Sequence, residues 1–155
     1  PYCPSSMGGN SVVLLAALLG GACVSRTVTP RGTEAAATPD AIEAMARLAV
    51  GLDAKSDPTA DSLYAPDAVV VANARLRLAT PRLAGVGAGG QVTVLGATVT
   101  LEGRFAWVLM DYRWTNVQQR LAEAGRATFV FERRGGERGW KIVHLHSSQV
   151  LPWDR

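Results

Sequence analysis

The sequence predicts an α+β fold, in which N-terminal helices pack on one face of a long antiparallel sheet. After residue 38 apolar residues recur at helical spacing, whereas from residue 68 onward they alternate or form β-branched runs between short turns. Helices followed by a meander of strands are typical of this class. The chain has 155 residues, so residues 38–150 suffice for one domain with its own core, followed by a tail at 151–155.

Two cap-then-proline signals mark the helices. Thr38 stands before Pro39, which predicts the start of an amphipathic first helix that continues through Leu52. Its recurring apolar residues are Ile42, Met45, Ala49 and Leu52. Asp57 before Pro58 repeats the signal, and predicts a short second helix over residues 60–65 that ends at Pro66.

Five later segments are typical of strands. They cover residues 68–72, 91–102, 105–115, 127–134 and 140–148. The continuous apolar run of the first predicts a strand covered on both faces, and Gly96 within the second predicts a bulge or bend. Residues 116–125 are predicted to be a polar connection. Residues 75–91 fit either a short helix or a loop over a cavity mouth.

The first 37 residues differ in character from the rest. SVVLLAALL (residues 11–19) is apolar, no charged residue precedes Arg26, and small residues lead up to Cys23. This pattern predicts an export signal over residues 1–23, and the Thr-, Ala- and Pro-containing residues 24–37 predict a flexible tether. The apolar run is too short for a transmembrane anchor, which takes about 20 residues.

The stretch LGGAC resembles a bacterial lipoprotein box, in which Cys23 would carry a lipid. Ordinary signal-peptidase cleavage after Ala22 is the alternative, and both outcomes predict an exported protein that is periplasmic, secreted or lipid-anchored at the cell envelope. Contact with a membrane is predicted only through that lipid. No cysteine follows Cys23, which excludes a disulfide core and a thiol nucleophile.

Charge and glycine patterns exclude two further classes. The net charge is only +3 and the basic residues are scattered, so no nucleic-acid partner is predicted. Gly85, Gly87, Gly89 and Gly90 match neither the dinucleotide fingerprint nor the P-loop, and a flexible loop is the favoured interpretation. No cofactor is predicted.

Three motifs carry a family resemblance. LYAPDAVVV (residues 63–71), AWVLMDYR together with GRATFVFERR, and WKIVHLHSS at the last strand resemble the nuclear-transport-factor-2-like superfamily in its SnoaL-like branch. The last motif is also similar to the association domain of calcium/calmodulin-dependent kinase II. The resemblance covers residues 38–150. It implies a cone-shaped, curved antiparallel sheet wrapped around the helices, an internal pocket, and a homodimer formed through the outer sheet face.

The resemblance also guides the pocket prediction. In the kinase association domain, arginines from three neighbouring strands point into the pocket, and matching the motifs puts Leu109, Phe129 and Ser147 at those positions. The anion-binding pocket is therefore predicted to be absent. The pocket residues predicted instead are Tyr64, Trp107, Leu109, Phe129, Val143 and Leu145, with Asp111 and Ser147 as polar groups.

Asp111 has two possible roles. In an apolar wall, desolvation would raise its pKa and suit it to act as a general base on a small apolar ketone or lactone. The favoured alternative is a pairing with Arg113 or Arg126 near the end of the sheet, without chemistry.

The only two histidines, His144 and His146, share a face of the last strand if it alternates regularly. A structural role opposite the pocket wall, near Tyr112 and Trp114, is favoured, and a general base is the alternative. A zinc site needs further ligands, and no Cys, Asp or Glu shows the spacing, so no metal is predicted.

The sequence therefore predicts an exported binding or assembly module with a pocket for a small, largely apolar molecule. The alternative is an isomerase- or cyclase-type enzyme that uses Asp111 or a histidine as general base.

Overall fold

A computed structural model of the chain describes residues 38–135 and 139–150. One helix, α1 (Pro39–Ala54), and a 3-10 helix (Pro58–Leu63) precede six strands. The strands are β1 (Tyr64–Ala72), β2 (Arg75–Leu76), β3 (Gln91–Glu102), β4 (Phe105–Asn116), β5 (Leu121–Arg133) and β6 (Trp140–Gln149). The predicted export signal, the lipidation position Cys23, the tether and the tail lie outside the described residues. No helix in the described part is both long and apolar enough to cross a membrane.

The six strands form one sheet in the order β2-β1-β6-β5-β4-β3. Every neighbouring pair is antiparallel except β1 and β6, which run parallel. The predicted α+β class is confirmed, with helices first and a curved sheet after them. Strands β3 to β6 follow one another as a meander. Strand β1 pairs with β6, on the side of β6 opposite β5.

Both predicted helix starts are found. Thr38 Oγ1 accepts a hydrogen bond of 3.2 Å from Ala41 N, and Asp57 Oδ1 accepts one of 2.9 Å from Thr59 N. Each side chain thus satisfies an amide that has no partner in the first turn. The second helix takes the tighter 3-10 form and lies two residues earlier than the predicted 60–65, because Tyr64 and Ala65 already belong to β1.

The face of the sheet that packs against α1 is the inner face. Its side chains are almost completely buried, and α1 contacts β3 and β4. The inner-face residues at its centre are Met110, Tyr112, Phe129, Phe131, Ile142 and Leu145, and those of α1 are Ile42, Ala46, Ala49 and Val50. Burial of this apolar area, at roughly 25 cal/mol per Å², is the main stabilising contribution.

The opposite side is the outer face, where two rows of side chains cross the sheet from β3 to β1. One row is Thr100, Trp107, Val130, His144 and Val69, and the other is Thr98, Leu109, Thr128, His146 and Val71. Trp107, Leu109 and Val69 are 36%, 44% and 46% exposed. The prediction that β1 is covered on both faces is therefore wrong for the single chain, since α1 and the loop before β3 cover only the inner face.

The last strand departs from the regular alternation that the sequence predicted. Phe131 pairs with Ile142 while Val130 pairs with His144, so Val143 is an extra residue in a β-bulge. A bulge moves the residues on its two sides to opposite parities. As a result Ile142 lies on the inner face with Leu145, and not with His144 and His146.

Two other segments refine the strand prediction. The bulge expected near Gly96 is present at Leu95, which has no partner between Val94 and Gly96. The connection predicted over residues 116–125 is shorter, because β4 extends to Asn116 and β5 begins at Leu121. Backbone pairing lengthens this hairpin even though its side chains, such as Glu123 opposite Trp114, lack an alternating apolar pattern.

Candidate functional site

The segment before β3 is an irregular loop that closes the inner face. Asp53, at the end of α1, accepts hydrogen bonds at its Oδ2 from Arg82 N (2.6 Å) and Leu83 N (2.9 Å). Further along, Ala84 N donates to Ser147 Oγ (2.9 Å), and Tyr112 Oη donates to Ala84 O (2.5 Å). Of the two interpretations open from sequence, a loop over the mouth of the interior is the one found.

Tyr112 reaches the loop because β5 carries no side chain opposite it. Tyr112 pairs with Gly125, and a Cβ at Gly125 would overlap the Tyr112 hydroxyl. Burial raises the pKa of Tyr112 above its ordinary value, although a hydrogen bond with Ser147 opposes the shift. The tyrosine therefore stays protonated and serves as a donor to the loop.

An open cleft of about 350 Å³ lies between this loop and β1. Its apolar lining consists of Ala65, Pro66, Ala68, Val70 and Leu78, and its polar lining consists of Tyr64, Asp61, Arg77 and Arg82. This volume is near the lower end of the range of roughly 300–1,000 Å³ for small-molecule sites. The cleft is the candidate binding site.

Arg82 is the most constrained charged group of the cleft. Its side chain is 7% exposed, its guanidinium lies 4.5 Å from the centre of the Tyr64 ring, and its Nη2 contacts Asp61 Oδ1. Its Nη1 is 3.8 Å from Asp53 Oδ1, too far for a hydrogen bond, and neither atom has a hydrogen-bond partner among the described residues.

Burial changes the pKa values of Asp53 and Tyr64, the two groups next to Arg82. Burial raises the pKa of Asp53 above its ordinary value. The hydrogen bonds from the two loop amides and the positive charge of Arg82 lower it, but they do not cancel the effect of burial. The pKa of Tyr64 is also raised, first by burial and then by the nearby charge of Asp53. Asp53 anchors the loop through its carboxylate, and Asp53 does not line the cleft.

The predicted pocket residues are separated by the structure. Phe129, Leu145 and Ser147 lie on the inner face and are fully buried, and Tyr64 lines the cleft. Trp107 and Leu109 lie on the outer face. The prediction that they form one pocket wall with Phe129 is therefore wrong. They pair with Val130 and Thr128, and neighbours in register project to the same side. Val143 occupies the bulge of β6.

Asp111 lies on the outer face and is engaged by Arg126. Arg126 Nε donates to Asp111 Oδ1 at 2.7 Å, and Arg126 Nη2 donates to Oδ2 at 3.1 Å. The two residues pair directly across β4 and β5, which fixes this geometry. Arg126 is one of the two partners predicted for Asp111 from the sequence. The bidentate contact raises the pKa of Arg126.

His144 and His146 both lie on the outer face, opposite the buried Phe129 and Leu145. They share that face with Trp107 and Leu109, which the prediction had placed on the opposite wall. Their neighbours differ from the prediction, because Tyr112 and Trp114 are on the inner face. His144 pairs with Val130 and Val69, and His146 pairs with Thr128 and Val71. Within residues 38–135 and 139–150, no group of three or more His, Cys, Asp or Glu side chains is placed to hold a metal ion.

Sequence reasoning missed the charged groups of the cleft. Arg77 and Arg82 belong to the stretch that could not be assigned, and the prediction that anion-binding residues are absent considered only three strand positions. One signal was available for Asp53: it continues the buried stripe of α1, four residues after Ala49. A carboxylate on a buried stripe indicates a specific partner, since buried charges are normally paired.

Comparison with known proteins gives the family. The family model described as "SnoaL-like domain" matches residues 52–152, more than half of the chain. Among curated proteins, none matches this chain.

Three solved structures illustrate the shared fold. A candidate ketosteroid isomerase from Parabacteroides distasonis is 17% identical with a TM-score of 0.58, over 79% of this chain and 96% of that one. A nuclear transport factor 2-like protein from Salmonella enterica is 18% identical with a TM-score of 0.59, over 73% and 91%. A CaMKII hub from S. rosetta is 18% identical with a TM-score of 0.57, over 74% and 98%.

At these identities the likeness is evidence for the fold alone, and it confirms both resemblances drawn from the sequence motifs. The chain belongs to the SnoaL-like domain family and has the nuclear-transport-factor-2-like fold.

Proposed function

We propose that the chain is a non-catalytic binding domain, which takes a small, largely apolar ligand in the cleft and pairs with a second copy through its outer face. The observation that carries this proposal is that the polar groups of the inner face are already bonded within the chain. Tyr112 and Ser147 could serve a substrate there, but they are buried and already bonded to Ala84 of the chain's own loop. A general acid or base must reach its substrate. The open cleft, in contrast, is accessible to a ligand.

The outer face supports pairing with a second copy. Its rows expose Val69, Trp107 and Leu109, and the neighbouring Asp111 is paired with Arg126. Exposed apolar surface of this kind is usually covered by a partner. One of the similar structures is named a hub, which favours assembly as a use of this fold.

The alternative is an isomerase- or cyclase-type enzyme with Asp111, His144 or His146 as general base. All three residues lie on the outer face, so this mechanism needs a substrate bound there or between subunits. The fold of a candidate ketosteroid isomerase supports this alternative only in general terms. It ranks second because both carboxylate oxygens of Asp111 already accept hydrogen bonds from Arg126.

We also propose that the protein is exported, on the strength of the apolar run at residues 11–19 ahead of Cys23. Mass spectrometry of the protein recovered from the cell envelope and the medium tests this. A mature N-terminus at Cys23, with or without a lipid, is expected, and a chain that stays intracellular and uncleaved would sink the idea.

Sedimentation velocity of the full chain tests pairing. We expect a dimer, and Leu109→Glu should weaken it by more than about tenfold, because a charge would be buried in the interface. Leu121→Glu is the matched control, since Leu121 has a similar exposure, 47%, and lies outside the two rows. Equal effects of both variants would contradict the assigned face. Turnover of an enolisable ketone that disappears in Asp111→Asn would instead favour the enzyme.

A further inference from the structure

The charges at the cleft are balanced only when a carboxylate behind the lining is counted. Two guanidinium groups, Arg77 and Arg82, and one exposed carboxylate, Asp61, line the cleft. The second carboxylate, Asp53, is buried beside Arg82. A neutral apolar ligand would cover these cations without replacing their water. A ligand with a single negative charge could replace Asp61 beside them and keep the charges balanced.

Arg82 is held in place before any ligand arrives. The Tyr64 ring and the carboxylates of Asp53 and Asp61 surround its guanidinium, and its side chain is more than nine-tenths buried. Among the described residues its Nη1 has no hydrogen-bond partner, and it is buried beside Asp53 Oδ1. The donors that a ligand can reach are those of Nη2, which contacts the exposed Asp61. A fixed planar guanidinium matches the geometry of a carboxylate.

Asp61 occupies the place that a ligand carboxylate would take. Its side chain is 66% exposed while it contacts Arg82, so it can move into solvent at little cost. Arg77 is exposed at the same cleft, and its side chain makes no hydrogen bond or ion pair with the described residues. An incoming carboxylate would therefore gain two guanidinium groups and displace one exposed acid.

We propose that the cleft binds small monocarboxylates with an apolar body. The carboxylate lies between Arg82 and Arg77 in place of Asp61, and the body packs on Pro66, Val70 and Leu78. A single negative charge fits better than a phosphate dianion, because the ligand replaces the single charge of Asp61, and Asp53 and Asp61 already match the two guanidinium charges. This assignment rests on the proposed role of the cleft as a ligand site.

Protein-observed NMR titration of the full chain at pH 7 tests the assignment, with hexanoate, hexanol, hexylamine and hexyl phosphate as probes. We expect hexanoate to shift the amides of Tyr64, Val70 and Arg82, and to bind at least about tenfold more tightly than hexanol. Hexyl phosphate should bind more weakly than hexanoate, and hexylamine should not bind.

Three variants make the test specific. Arg77→Gln should weaken hexanoate binding about threefold to tenfold, as expected for one partly exposed charge pair. Asp61→Asn should strengthen it, because the internal competitor is lost. Arg75→Gln is the matched control: Arg75 is also exposed, on β2, but does not line the cleft, and it should change nothing. None of these variants removes a buried group.

The outcomes separate this inference from the function on which it rests. If hexanol shifts the same amides as strongly as hexanoate, or if Asp61→Asn and Arg77→Gln have no effect, the carboxylate assignment falls while the cleft remains a ligand site. If none of the four probes shifts the cleft amides, both fall.

Discussion

The inner and outer faces of the sheet are built from similar apolar residues on the same strands, yet they differ in what lies over them. Phe129 and Leu145 on the inner face are completely buried under α1 and the loop, whereas Trp107 and Leu109 on the outer face remain partly exposed. The residue types alone do not distinguish the two faces. The difference comes from the helix and from the hydrogen bonds that fasten the loop, and these make one face a core and leave the other as a surface for association.

Deleting side chains on either face should give the largest contrast. Phe129→Ala should lower the free energy of unfolding by about 3–5 kcal/mol, because it leaves a cavity in a packed core. Leu109→Ala should cost less than about 0.5 kcal/mol in dilute protein, where the outer face is exposed. Urea unfolding followed by circular dichroism measures both.

Protein concentration sharpens this contrast. If the outer face pairs with a second copy, the cost of Leu109→Ala should increase with concentration, because the dimer stabilises the folded wild type by mass action. The cost of Phe129→Ala should not change. Similar costs for the two variants at every concentration would contradict the distinction between core and surface.

The fastening of the loop should give an intermediate effect. Tyr112→Phe removes the hydroxyl that donates to Ala84 O and leaves a buried carbonyl without its partner, at a cost of about 1–3 kcal/mol. Ser147→Ala removes the acceptor of Ala84 N and should cost about the same. Because both variants release one loop residue, their combined cost should be less than additive. Hydrogen exchange of residues 82–86 provides the readout, and unchanged protection there would count against the loop as a lid.

The smallest effect should be a change in the pH dependence of stability. Burial raises the pKa of Asp53, so the folded state binds its proton more tightly than the unfolded state does. The contribution of Asp53 to stability should therefore fall as the pH rises from about 3.9, the ordinary value, through the raised value. Asp53→Asn should remove this part of the slope in urea unfolding between pH 3 and 7.

Asp57 provides a control of opposite sign. Hydrogen bonds from the Thr59 amide and hydroxyl lower the pKa of Asp57, so its contribution is lost as the pH falls below the ordinary value. Asp57→Asn should therefore change the slope in the other direction. Slopes that change in the same direction for both variants would refute the assignment of these two shifts.

The elements could be predicted from local patterns, but the site could not. The caps at Thr38 and Asp57 and the alternation of β4 are local signals, and all of them led to the correct element. The faces of β6 were assigned incorrectly because the extra residue at Val143 leaves no mark in the apolar pattern. The cleft depends on contacts such as Asp53 with Arg82, 29 positions apart, which no local pattern encodes.

The parallel pairing of β1 with β6 has a consequence for how the domain assembles. Asn73 and Gln149 hydrogen-bond although 76 positions separate them, and β6 joins the β1–β2 hairpin to the β3–β5 meander. Strand β6 is thus a central strand of the sheet and not an edge strand. Loop closure over such a distance is entropically expensive and slows folding. A nascent chain must therefore wait for its last strand before the two halves can join, and until then both carry an open strand edge to which other chains can attach.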